Sequence, residues 1–250
     1  MDYQFTRKPL TYTDGRRKSG TRLESVLPFA GGGITIFENQ FFFDLYLQKA
    51  FSGSDETAIF YEDDSGSSST RNRKINSDFE RDEFSVSVGY AVGNQGALFI
   101  GYRRSKINFI DTFTYTKITD NNPNYTENGI RDTDFKQSGY FLGGAYLLPI
   151  GEHTAITLNA AVAFLDGEFD YRVHSVEASS IDGPVKQDDS ATNLGGDTAG
   201  LNLGIAWKGR MFESVDYTLG LDGYSYDFVF KKLDKFESIE SPEASESVIR

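Results

Sequence analysis

An all-β chain, folded as an antiparallel up-and-down transmembrane β-barrel of ten strands, is what three observations in this sequence predict. Phe84, Val86, Val88, Tyr90 and Val92 alternate strictly with Ser85, Ser87, Gly89 and Ala91, the period of a strand. Tight turns alternate along the chain with long polar stretches. The longest nearly apolar run, residues 140–151, is broken by glycines and Pro149, and a membrane-crossing helix needs roughly 20 apolar residues. Barrel strands need only about 9–11, half of them facing lipid.

Composition agrees. The chain has 250 residues, 25 Gly, 21 Phe, 14 Tyr and no Cys. That length suits one domain spanning residues 1–250. Without Cys there is no disulfide framework and no thiolate metal site. A net charge of −12 argues against a nucleic-acid partner. A mean hydropathy of −0.42 fits a barrel whose lumen and loops dilute its apolar face. The start, Met1-Asp-Tyr-Gln-Phe5, lacks the basic and then apolar pattern of a signal peptide.

The elements follow in order. Residues 1–10 read as the end of a first strand, and residues 13–20 as a basic, solvated loop. Residues 22–37 form a second strand containing Gly31-Gly-Gly33, which is no phosphate loop because no Lys-Ser/Thr pair follows. Glu38-Asn39 turns the chain into strand three, residues 40–53, with Phe41, Phe43, Leu45 and Leu47 outward. Residues 54–80 read as a Ser- and Asp-rich loop. The hairpin of residues 84–103 supplies strands four and five, with Leu98, Ile100 and Tyr102 outward. Residues 111–134 read as a second long loop, in which Asp120, Asn122 and Asn124 imitate the start of a calcium loop. Tyr125 and Arg131 stand where that loop needs Gly and Glu, so no metal is expected. Strand six, residues 135–149, points Tyr140, Leu142, Tyr146 and Leu148 outward. Strand seven begins at Thr154 and points Ile156, Leu158, Ala160, Val162 and Phe164 outward; residues 174–197 are a third long loop. Strands eight and nine turn Leu201, Leu203, Ile205, Trp207, Tyr217, Leu219 and Leu221 outward. Residues 231–250 are an outer loop and the start of an incomplete last strand. Tyr90, Tyr146, Trp207 and Tyr217 form an aromatic girdle near the short turns.

Short turns near 38–39, 94–95, 150–153 and 212–216 alternate with the three long loops. Short turns at the periplasm and long loops outside then require ten strands, the first and last clipped; eight is the alternative. This pattern over residues 22–230 resembles the small Gram-negative outer-membrane β-barrel proteins of eight to ten strands. The resemblance implies residence in the bacterial outer membrane, contact with its lipid and lipopolysaccharide, and insertion by the barrel-assembly machinery. Members often end on an aromatic residue, and this chain ends on Arg250.

Chemistry is sparse. His153 and His174 are the only histidines and fall at opposite ends of a strand. Neither His-Glu-x-x-His nor Gly-x-Ser-x-Gly occurs. No catalytic residue, metal or cofactor is therefore assigned, and a non-enzymatic monomer is expected. Counting up from the short turns places Asp44 level with Lys208, and Arg103 level with Asp222. With Gln48, Asn159 and Asn202 they are expected to cross the lumen as one network, because isolated buried charge is costly. Such a network is either a structural plug or the constriction of a narrow, porin-like pore. Lys49, Arg104 and Lys106 lie on outward parity near the upper rim, where lipopolysaccharide phosphate or plain snorkelling would occupy them. The alternatives are a barrel enzyme acting on lipid or peptide and a soluble, lipocalin-like carrier.

Overall fold

The computed structural model describes residues 2–7, 21–26, 28–55, 69–119, 122–179, 186–212, 215–230 and 243–249. All of the regular structure there is β: β1 Asp2–Arg7, β2 Thr21–Val26, β3 Phe29–Glu38, β4 Phe41–Asp55, β5 Ser69–Val92, β6 Gly96–Thr119, β7 Asn122–Gly151, β8 Thr154–Ser179, β9 Lys186–Phe212, β10 Val215–Phe230 and β11 Glu243–Ile249. They form one antiparallel sheet in the order β2-β1-β11-β10-β9-β8-β7-β6-β5-β4-β3. Its two terminal elements, β2 and β3, are consecutive in the chain, and Pro28 precedes β3. Proline brings no N–H to a ladder. Read as one interrupted strand, β2 and β3 make the count ten.

The sheet is rolled and sheared. From Glu246 the paired residues run through Tyr226, Gly200, Ala163, Phe141 and Gly101 to Ser87. Across the lumen, however, Glu246 meets Arg81, further up β5. That offset is the stagger a barrel acquires when its strands tilt.

Every outward residue predicted for strands three to nine has the predicted parity. Ile34, Phe43, Val88, Leu98, Leu142, Leu203 and Leu219 are exposed on the outer face. Small residues, amides and a few rings face in. Glycines receive those rings: Phe42 pairs with Gly89, Phe99 with Gly143, Phe141 with Gly101, and Tyr226 with Gly200. A Cβ at any of these four glycines would run into the ring of its partner. At the short turns Asn39 and Gly93 take φ of 57° and 63°, the left-handed geometry of tight hairpins. There Tyr90 donates to Gln40, and Tyr146 donates to Gln95 at 2.7 Å.

The loop expectations need correction. Residues 69–80, 111–119, 122–134, 174–179 and 186–197 are strand, not loop. So are Asn122 and Asn124 of the calcium-like stretch. Residues 13–20, 56–68, 120–121, 180–185 and 231–242 of the expected loops, and 8–10 of the expected first strand, lie outside the described residues. From Asn122 to Ser138 alone, β7 runs about 50 Å past the apolar belt.

The inside-out rule reverses in that extension. Above the belt the outer face carries Asp82, Lys106, Asp134, Lys136, Glu168 and Asp170. The inner face carries Ile107, Phe109, Phe135, Leu165, Phe169 and Phe228, all buried. The barrel is lipid-adapted below and water-adapted above. Alternation of apolar with small residues marked the lower part. The upper part alternates apolar with charged residues amid Ser, Thr and Asn, which reads as loop.

Asp170 lies in this water-adapted part. Asn193 and Lys136 both donate to its carboxylate, the latter at 3.1 Å, holding it below the ordinary carboxylate range. A depressed folded value contributes stability above the unfolded value near 3.9 that is lost as pH falls through the folded value. Amide exchange in residues 166–172 should therefore accelerate only below about pH 4, and D170N should abolish that dependence. Leu203→Arg at mid-belt should cost about 2–4 kcal/mol in refolding into vesicles, against about nothing for Glu168→Arg. Gly200→Leu should cost about 1–3 kcal/mol by overpacking Tyr226, read as a lower urea midpoint.

Candidate functional site: a buried charge cluster

Four strands place polar side chains at one level of the lumen, where the outer face changes from apolar to charged. Inward parity brings Arg81 and Glu83 from β5, Arg103 from β6, Tyr224 and Tyr226 from β10 and Glu246 from β11. Glu83 is the hub. One of its oxygens accepts from Arg81 Nη1 at 2.7 Å, lies 3.1 Å from Arg103 Nη2 and accepts from the Tyr224 hydroxyl at 3.4 Å. Arg81 Nε donates to Glu246 at 3.1 Å. Arg103 donates to the Tyr226 hydroxyl and stacks 4.4 Å from the centre of the Tyr224 ring. Arg81 and Glu246 are each 1% exposed, and Glu83 and Arg103 each 6%.

Two guanidinium and two carboxylate charges cancel in this cluster. Burial of charge is tolerable only when it is paired and hydrogen-bonded. The aromatic faces add cation–π attraction, which strengthens where water is excluded. Directly above, Phe135 packs edge-on against Phe228 at 5.1 Å across the lumen and lies 6.2 Å from Phe169. Polar cluster and aromatic layer thus lie one above the other on the inner face.

At the short-turn end an open hollow is lined by outward Leu98, Tyr146, Leu158 and Leu203 as well as inward Asn159 and Gly204. Gly204 leaves a notch flanked by the oxygens of Asn159 and Asp222. Asp44 accepts from Thr35 at 2.6 Å, and Gln48 accepts from Tyr46 at 2.9 Å. Asn202 faces in beside Tyr224, and Lys208 is exposed near the lower rim.

The expected network of Asp44, Arg103, Lys208 and Asp222, with Gln48, Asn159 and Asn202, is thus divided. Arg103 stands in the upper cluster with partners the expectation did not name. Asp44, Asp222, Asn159 and Lys208 lie lower, toward the short turns. The physical reason is the stagger: equal counts from the short turns are not equal heights on tilted strands. Arg81 was missed because it adjoins a stretch read as loop, although its inward parity continues that of Ser85 and Ser87, and Glu246 because it ends the polar stretch after Phe230.

The rim cations occupy outward positions as expected. Lys49 lies 3.9 Å from Glu80 and 3.8 Å from Asp82, and Lys106 lies 2.9 Å from Asp134. Arg104 is exposed between Phe84 and Ser138 on the neighbouring strands. His153 sits in a short turn, and His174 is exposed on the outer face. Among the described residues no group of His, Asp and Glu is arranged to hold a metal.

Removing the hub should be expensive. Glu83→Ala leaves both guanidiniums without their shared acceptor and should cost about 3–5 kcal/mol, read as a lower denaturation midpoint in detergent. Arg103→Ala should cost more than Lys208→Ala, which removes an exposed charge.

Comparison with known proteins returns only the fold. No protein-family model matches the sequence, and no curated protein matches it. The structure of the outer membrane protease OmpT from Escherichia coli is similar at a TM-score of 0.54 and 11% identity, over 99% of this chain and 91% of that one. A Pseudomonas aeruginosa FadL homologue aligns at 8% identity over 99% of this chain and 87% of that one, with a TM-score of 0.28. The toluene transporter TodX of Pseudomonas putida aligns at 6% over 99% and 87%, with a TM-score of 0.27. Scores that low carry no argument; the first similarity does, for architecture. The chain has the fold of an outer-membrane β-barrel, and its outward apolar belt is the surface such a fold presents to a bacterial outer membrane.

Proposed function

We propose that this protein is a non-enzymatic outer-membrane barrel whose lumen is plugged, carrying a rigid extension on the outer side of the membrane. The observation that supports it best is the neutral, buried cluster of Arg81, Glu83, Arg103 and Glu246 beneath an aromatic layer. A porin-like pore needs a continuous aqueous path, and small barrels are filled mainly by side chains. The polar inner-face residues Asp44, Asn159 and Asp222 below the cluster favour the second reading, a narrow pore constricted above them. On either reading the short turns face the periplasm and the protein works as a monomer.

An enzyme of this architecture would require acid, base or nucleophile groups in reach of one another. That one protein of the fold is a protease bears on its architecture, at an identity too low to carry the activity across. Lys49, Arg104 and Lys106 are proposed as the lipid-facing cations, meeting lipopolysaccharide phosphate in competition with Glu80, Asp82 and Asp134.

Planar-bilayer recording tests the seal. Wild type and Asp222→Ala should both give no single-channel steps. Ion-selective steps in wild type that change with D222A would replace the plug by the pore. Joint replacement of Lys49, Arg104 and Lys106 by Gln should lower retention of lipopolysaccharide on purification; unchanged retention removes that contact.

A further inference from the structure

All three rim cations open onto one hollow of the outer wall. Leu47, Lys49, Asp82, Phe84, Arg104 and Lys106 line it, from β4, β5 and β6. Cross-strand pairing sets them in two rows. Leu47, Phe84 and Arg104 stand side by side in the lower row, and Lys49, Asp82 and Lys106 in the upper one. Leu47 and Phe84, 55% and 36% exposed, are the top of the apolar belt. The floor of the hollow is therefore apolar and its upper lip charged. That is the order of chemistry along a lipid that carries phosphate above acyl chains.

The three cations are not equivalent. Lys49 stands 3.9 Å from Glu80 and 3.8 Å from Asp82, and Lys106 stands 2.9 Å from Asp134. Among the described residues Arg104 has no ion-pair partner, and it is exposed. It also lies one row lower, nearest the belt. Lys49, Arg104 and Lys106 are balanced by Glu80, Asp82 and Asp134, so no strong field draws an anion here. What the hollow offers instead is one uncommitted guanidinium, whose fork fits two phosphate oxygens at once. The other flank of the wall is acidic at the margin of the belt. Asp166 on β8, Asp197 on β9 and Asp227 on β10 are outward and exposed, with Asp166 directly opposite Asp197. A phosphate on that side would meet like charge.

We propose that the hollow is a single lipid site, in which Arg104 clamps one phosphate of an outer-leaflet lipopolysaccharide. Leu47 and Phe84 carry its acyl chain, and Asp82 holds the affinity down by occupying Lys49. The proposal rests on the lipopolysaccharide contact given above for the rim cations, and adds which of them makes it and on which flank.

Titration of the full chain in detergent micelles with lipopolysaccharide, read by native mass spectrometry, tests the site. Wild type should take up one molecule before any second, and enzymatic removal of the lipid's phosphates should abolish that uptake. Inorganic phosphate should not compete, because it has no chain to lay on Leu47 and Phe84. Arg104→Gln should lower affinity about tenfold, and Arg104→Lys nearly as much, since an ammonium cannot fork. Lys106→Gln should change it by less than about twofold, and Asp82→Asn should raise it about threefold, the worth of one exposed ion pair. Wild-type affinity in R104K would mean that Arg104 merely snorkels, and would overturn the proposal. So would a loss in K106Q equal to that in R104Q, no gain in D82N, or several molecules bound alike. Unchanged retention after joint replacement of all three cations is a different outcome, which removes the lipopolysaccharide contact itself.

Discussion

One sheet in this protein has to satisfy two solvents. The lower third of each long strand faces lipid, and the rest faces water, yet side-chain parity is continuous along the strand. The only way to meet both demands without breaking the ladder is to exchange the chemistry of the two faces part-way up. On β6 the outward series runs Leu98, Ile100, Tyr102, then Arg104, Lys106, Asn108. The inward series runs Ala97, Phe99, Gly101, then Arg103, Ser105, Ile107, Phe109. The rest of the architecture depends on where that exchange occurs.

The buried charge cluster sits at the exchange level, and this position explains its form. Below it the inner face carries Asp44, Asn159 and Asp222; above it the inner face is aromatic, with Phe135, Phe169 and Phe228 buried. Arginines at the boundary suit both sides: the guanidinium forks onto Glu83 and Glu246, and its plane stacks on Tyr224 and Tyr226. Lysine in the same place would offer a point charge and no stacking face.

The same boundary orders the outer surface. Tyr102 and Tyr140 pack edge to face at 5.6 Å at the upper margin of the belt, where amphipathic rings are favoured. Immediately above, lysines alternate with carboxylates across strands: Lys106 with Asp134, and Lys136 with Asp170 and Glu168. Exposed pairs of this kind contribute little individually. Their greater role is to keep the extended strands hydrated and in register, since a one-residue slip would turn the charges onto the apolar inner face.

Strand parity, the short turns, the outward belt and its girdle are all written in local alternation, and that is why residues such as Val86, Leu142 and Trp207 were assignable from the sequence. The upper strands were not, because Phe109, Phe135 and Phe169 alternate there with polar residues in stretches rich in Ser, Thr, Asn and Asp, a composition shared with loops. The membership of the lumen cluster was not legible either. Arg103 was assigned to the interior, but its partners depend on shear, a property of all the strands together that no count along one strand contains. Local spacing determined which side of the sheet each side chain takes; the tilt of the rolled sheet decided which of them meet.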